Sequence, residues 1–171
     1  MEEKVSTARV ALKYGVLVSV VIMVYTTIIN VSGLSQNPVL SSLQFVFMIA
    51  GIVMAMKDFR EQNKGFMSYG EGLGLGTLVS AVMGLLVSTF STFYNRFIDS
   101  SIMTQAVDKV RTDMEQRGMD DAQIDQSMEL AQKFMSPSIM FFSGVFMSIL
   151  MGFIVSLVVS AIFRREKPVF E

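Results

Sequence analysis

The chain has 171 residues, 51% of them apolar, a formal net charge of −1 and a mean hydropathy of +0.51, more apolar than an ordinary soluble domain. It holds no Cys and no His, which excludes disulfides, thiol nucleophiles, imidazole acid–base chemistry and the usual zinc sites, and its charge balance offers no basic face to nucleic acid. The length suits one domain, and the charges gather at both ends and in 57–64 and 99–133, leaving four nearly charge-free blocks.

The first block, 11–31, reaches about 32 Å as a helix, enough to cross a bilayer core. The basic residues Lys4, Arg9 and Lys13 at its start also suit a secretory signal. The apolar run is longer than such signals carry, three more blocks follow, and "VSG" is the nearest approach to a cleavage site, so the block reads as a membrane helix. The second block, 39–56, sits near the short limit for a span. Thr26, Thr27, Asn30 and Gln44 are expected to hydrogen-bond between helices, and Tyr14, Tyr69 and Tyr94 mark block ends at headgroup level.

The third block, 72–93, is entered through "FMSYGEGLGLG". A dinucleotide fingerprint needs glycine at i, i+2 and i+5, yet from Gly70, Gly72 or Gly74 the last position is Leu75, Thr77 or Val79, and no Gly-Lys-Ser/Thr is present. Phosphate binding is therefore rejected. Ser68-x-x-Glu71 is a capping box, and a carboxylate there also meets the positive end of the helix dipole. Glu71 is the one ionisable candidate for a proton or cation site, but its place at the rim favours capping.

A different spacing holds along this block. Gly72, Gly76, Ser80, Gly84, Ser88 and Thr92 recur every fourth residue, and the fourth block repeats the device with Gly144, Ser148, Gly152, Ser156 and Ser160. Lipid gives helices little reason to hide apolar surface, so they associate where small residues let backbones approach. The third and fourth spans are expected to touch there, crossing right-handed. A four-residue ridge drifts about 40° per step on a 3.6-residue helix, so its two ends are expected to meet different neighbours, one of them in another subunit if the ridge is an oligomer seam.

Between these blocks, Met103, Val107, Val110 and Met114, then Ile124, Met128, Ala131 and Met135, step as apolar faces of two helices. Gly118 suits a C-cap, Asp120-x-x-Gln123 a capping box and Pro137 the first turn of the fourth span, 139–163. The result is a helical hairpin over about 99–136, with the third span free to run straight into it; its apolar stripes either pack together or dock on a partner or the bilayer. Its acids do not match an EF-hand.

Lys4, Arg9, Lys13, Lys57, Arg60, Lys64, Arg164, Arg165 and Lys167 fall on one side, against Arg96, Lys109, Arg111, Arg117 and Lys133 on the other. The positive-inside rule then places both termini in the cytoplasm and 99–136 in the periplasm. Met147-x-x-x-Met151 has the softness that Cu(I) favours, but methionine is scattered through all segments and reads as adaptable filler. No nucleophile–base pair can be assembled.

The order of "KYG", "SYGEGLGLG", "FID", "KFMSP" and "AIFRRE" resembles a bacterial membrane family known as domain of unknown function 4199, common in Bacteroidota. The resemblance covers nearly the whole chain and implies a small four-span inner-membrane protein; it hands over no catalytic residues. The expected architecture is all-α: an integral membrane four-helix bundle, 1–171 as one membrane domain, with an extramembrane hairpin between spans three and four. The expected role is a non-enzymatic interaction or accessory subunit without cofactor or metal. The alternative is a small transporter or channel for an ion or small solute using Glu71. Its partners are then the lipid bilayer and either a second copy or another membrane protein, with no nucleic acid.

Overall fold

The computed structural model describes residues 5–35 and 37–166; Lys4 and Lys167 of the charge count lie outside them. Each membrane helix starts just after a polar residue, which in α1, α2 and α3 takes up free amides. Helix α1 (Thr7–Val31) opens where the Ser6 hydroxyl accepts from the Arg9 amide, and α2 (Pro38–Gln62) where Asn37 Oδ1 accepts from Val39 and Leu40. Helix α3 (Tyr69–Phe97) starts at Ser68 and α6 (Pro137–Phe163) at Ser136, with Pro137 in its first turn. All four start before the apolar blocks that mark them, where the capping residues sit, and α2 and α3 also run past their blocks through last turns that carry Arg60 and Arg96; α2 continues past Met56 to Gln62.

These four helices are long and apolar enough to cross a membrane. Large apolar side chains line their outward faces, among them Val16, Val20 and Val24 of α1 and Phe142, Phe146 and Phe153 of α6. Such faces are stable against lipid and not against water. Helix α3 sits in the middle, touching α1, α2 and α6, with its widest interface on α6. The core joins Ile52, Met56 and Phe59 of α2 to Leu75 and Val79 of α3 and to Met67.

One end of the bundle is clasped three times. Lys13 Nζ donates to Asp58 at 2.8 Å, Arg60 donates to the Phe163 carbonyl at 3.4 Å, and Met67 and Arg165 exchange backbone bonds of 2.9 and 2.8 Å. This end gathers Arg9, Lys13, Lys57, Arg60, Lys64, Arg164 and Arg165. At the other end Tyr25 donates to the Leu40 carbonyl at 2.8 Å, its ring edge-on to Phe47.

Three sequence expectations change. Thr26 and Thr27 bond the carbonyls of Ile22 and Met23 in their own helix and not a neighbour, since a hydroxyl one turn on reaches that carbonyl unaided. Tyr94 is buried beside Phe90 and does not lie at a headgroup surface. Helix α3 does not run on into the hairpin: Asp99 Oδ1 accepts from the Ser101 amide at 2.9 Å, a local turn that competes with the helix and restarts it.

Helix α4 (Ser101–Gln116) and α5 (Asp121–Phe134) form the extramembrane hairpin. Gly118 turns the chain at φ 75°, a conformation L side chains avoid. Asp120 and Gln123 complete a reciprocal capping box. Ile124 and Met128 of α5 are buried and α4 is its main neighbour, so the apolar stripes face each other.

Candidate functional site

The α3–α6 interface is built from the smallest side chains in both helices. Gly72 faces Ser160, Gly76 faces Ser156, Ser80 faces Gly152, Gly84 faces Ser148 and Ser88 faces Gly144. At each level one helix supplies glycine and the other serine. A Cβ at Gly72 would stand 2.8 Å from Ser160 Oγ, at Gly84 2.6 Å from Ser148 Cβ, and at Gly144 2.7 Å from Ser88 Oγ. At Gly76 and Gly152 it would collide outright with Ser156 and Ser80. Buried hydroxyls are costly unless bonded; Ser80 and Ser156 donate to the carbonyls of Gly76 and Gly152, at 3.0 and 2.6 Å.

The expected drift of the ridge toward two neighbours is not what these residues do. All five levels meet α6, because a seam whose period exceeds 3.6 residues is followed by a partner that coils with it. Close approach recurs at two other glycines: a Cβ at Gly15 of α1 would come within 2.7 Å of Val82 and 3.1 Å of the Val79 carbonyl, seating α1 on α3, and one at Gly51 of α2 would collide with Val18 of α1.

Glu71 lies at the clasped end, in the first turn of α3. Its Oε2 accepts from the Ser68 amide at 2.9 Å and the Ser68 hydroxyl at 3.0 Å, and Ser68 Oγ lies 3.3 Å from the Glu71 amide. The carboxylate is engaged by its own cap.

At the opposite end the bundle opens. A cavity of about 730 Å³ lies among α2, α3, α6 and the first turn of α4, within the size range of small-molecule sites. Its floor is apolar, with Ile22, Met48, Met83 and Met151. Its mouth is polar, with Ser91, Asn95, Arg96, Ser100 and Thr104. Ser88 and Ser148, the outermost facing serines of the seam, lie on its wall, and beyond them Thr92 and Met140 line it. Met147 and Met151 line this cavity too, together with Met48, Met83, Met103 and Met140; Met48 and Met83 also belong to the core, so methionine fills the core and borders the cavity at once. Gln44, expected to bond a neighbouring helix, lines the same wall, and its side chain has no hydrogen-bond partner among the described residues. Glu71 is not part of it.

Sequence reasoning passed over Ser91, Asn95 and Arg96. The signal was present: past Ser88 the small-residue ridge turns polar at Ser91, Thr92 and Asn95, at helical spacing. Small residues mark a helix pair that closes, and polar ones at the same spacing mark where it parts. Among the described residues no group of His, Cys, Asp or Glu stands close enough to hold a metal ion.

Searches of curated proteins and of solved structures return no match to this chain. A family model described as "Protein of unknown function (DUF4199)" matches residues 13–165, which takes in most of α1, the other three spans whole, the seam, Glu71 and the cavity wall. With that match over most of its length, this four-span helical membrane protein belongs to the DUF4199 family.

Proposed function

We propose that the chain is a non-enzymatic accessory protein of the bacterial inner membrane that acts on a partner through its hairpin and the cavity beneath it. The observation that carries this reading is a shared wall. Ser100, Met103 and Thr104, at the start of the hairpin, line the same cavity as α2, α3 and α6. Whatever occupies the membrane half therefore touches the extramembrane half. The hairpin has few contacts with the bundle apart from α3, so it is the element freest to respond.

The basic residues at the clasped end support a cytoplasmic location for both termini and a periplasmic one for 99–136. The chain has no Cys, so single cysteines report cleanly. A cysteine replacing Asp125 in the hairpin should react with an impermeant maleimide in intact spheroplasts, and one replacing Glu61 only after lysis. The reverse pattern would invert the topology.

The partner reading is tested by photocrosslinking in native membranes from the exposed face of the hairpin, at Gln105 and Asp125. One reproducible adduct, lost when the hairpin is unfolded, is the expected result; absence of any adduct from either position opposes it. The rival reading is a small transporter or channel using Glu71, whose carboxylate is held by Ser68 at the end away from the cavity. It requires Glu71→Gln to abolish solute or ion movement in proteoliposomes, whereas the accessory reading expects no flux to lose.

A further inference from the structure

We propose that the cavity at the hairpin end binds an anionic amphiphile, an acyl chain with a single negative head, taken from the surrounding leaflet. Several features of the wall select this class.

The first is polarity along its length. From Arg96 at the end of α3 to Met83 is 13 residues, or about 20 Å of helix, comparable with the ~15 Å of hydrocarbon in one leaflet. Polar groups occupy the outer part and Ile22, Met48, Met83 and Met151 the inner part. A molecule polar at one end and apolar along its body matches that order; a compact polar solute would leave the floor uncovered. Methionines adapt to a flexible chain better than branched residues do.

The second is charge. Among the described residues, Arg96 is the only ionisable one lining the cavity. It makes no ion pair among the described residues and lies 5.7 Å from the Phe97 ring centroid. Asn95 beside it likewise has no side-chain hydrogen bond, and neither does Gln44 farther along the wall. Free donors beside an unpaired guanidinium suit a carboxylate or phosphate. At the same mouth, α6 begins at Ser136 with no side-chain cap, and its positive end adds to the preference for an anion; the first amide of α4 is already held by the Asp99 carboxylate.

The third is access. Phe45 of α2 and Met140 and Met147 of α6 border the cavity and are exposed, so its α2–α6 side gives onto the hydrocarbon from which such a molecule would come.

Two sources share this chemistry, a lysophospholipid and a free fatty acid. Gln44 separates them: its amide can bond an ester carbonyl below the head, which a fatty acid lacks. The test uses the full chain in lipid nanodiscs of zwitterionic lipid, with lysophosphatidylglycerol, oleate and lysophosphatidylcholine as probes, read by native mass spectrometry and by thermal melting. Lysophosphatidylglycerol or oleate should bind at least ten times more tightly than lysophosphatidylcholine and raise the melting temperature. Arg96→Gln should remove that preference while leaving the melting temperature without probe unchanged. Met147→Trp, which narrows the cavity, should weaken binding of all three. Gln44→Leu should weaken lysophosphatidylglycerol and spare oleate if the ester is read; equal loss or no loss assigns the fatty acid as ligand. Equal affinity for lysophosphatidylcholine, or full binding by Arg96→Gln, overturns the proposal. Since the assay needs no protein partner, its failure leaves the hairpin crosslinks standing, and the absence of crosslinks leaves this site standing.

Discussion

At Gly152 a side chain would collide with Ser80, and at Ser156 the helix opposite carries none. Each pair in the seam divides one small volume unequally, so a single addition has nowhere to go. Overpacking of this kind costs about 1–3 kcal/mol per site. Gly76→Leu and Gly84→Leu should each lower the melting temperature in detergent; an unchanged value would count against close packing. Gly84→Ser alone should destabilise, and Gly84→Ser with Ser148→Gly should recover most of the loss, because the volume at that level is exchanged and not increased. That cycle isolates the pair from effects elsewhere. Glu71 makes a different prediction. Glutamine completes a capping box as well as glutamate does, so Glu71→Gln should leave stability nearly unchanged, whereas Ser68→Ala should cost about 1 kcal/mol.

At the scale of elements, the helix ends were legible because capping is local chemistry. Ser68 with Glu71, Asp120 with Gln123, Gly118 and Pro137 each act within a few residues, and sequence carries them directly. The four spans were legible because lipid demands length and apolarity together. The outer cavity was not, since it depends on where α2 parts from α6, a relation between segments far apart in the chain. Nor was the steadiness of the seam, which a straight helix does not reveal. The hairpin is stabilised by its own stripes, so Ile124→Asp should expose residues 101–134 to limited proteolysis while the bundle melts as before. A bundle that melts much lower would mean that the hairpin supports it.

The whole molecule has a closed end and an open one. Ion pair, backbone bridge and arginine–carbonyl bond fasten the basic end; at the other, α3 and α6 carry the cavity and the hairpin between them. The alternation of glycine and serine has a consequence for how such a chain assembles. Were α6 to slide one turn inward along α3, Gly76 would meet Gly152, Ser80 would meet Ser148 and Gly84 would meet Gly144, an alternating series of gaps and clashes. A slide the other way sets Ser80 on Ser156, Gly84 on Gly152 and Ser88 on Ser148. Only one alignment gives every glycine a serine, so ten of the smallest side chains in the protein act as a vernier that fixes the depth at which the last helix comes to rest.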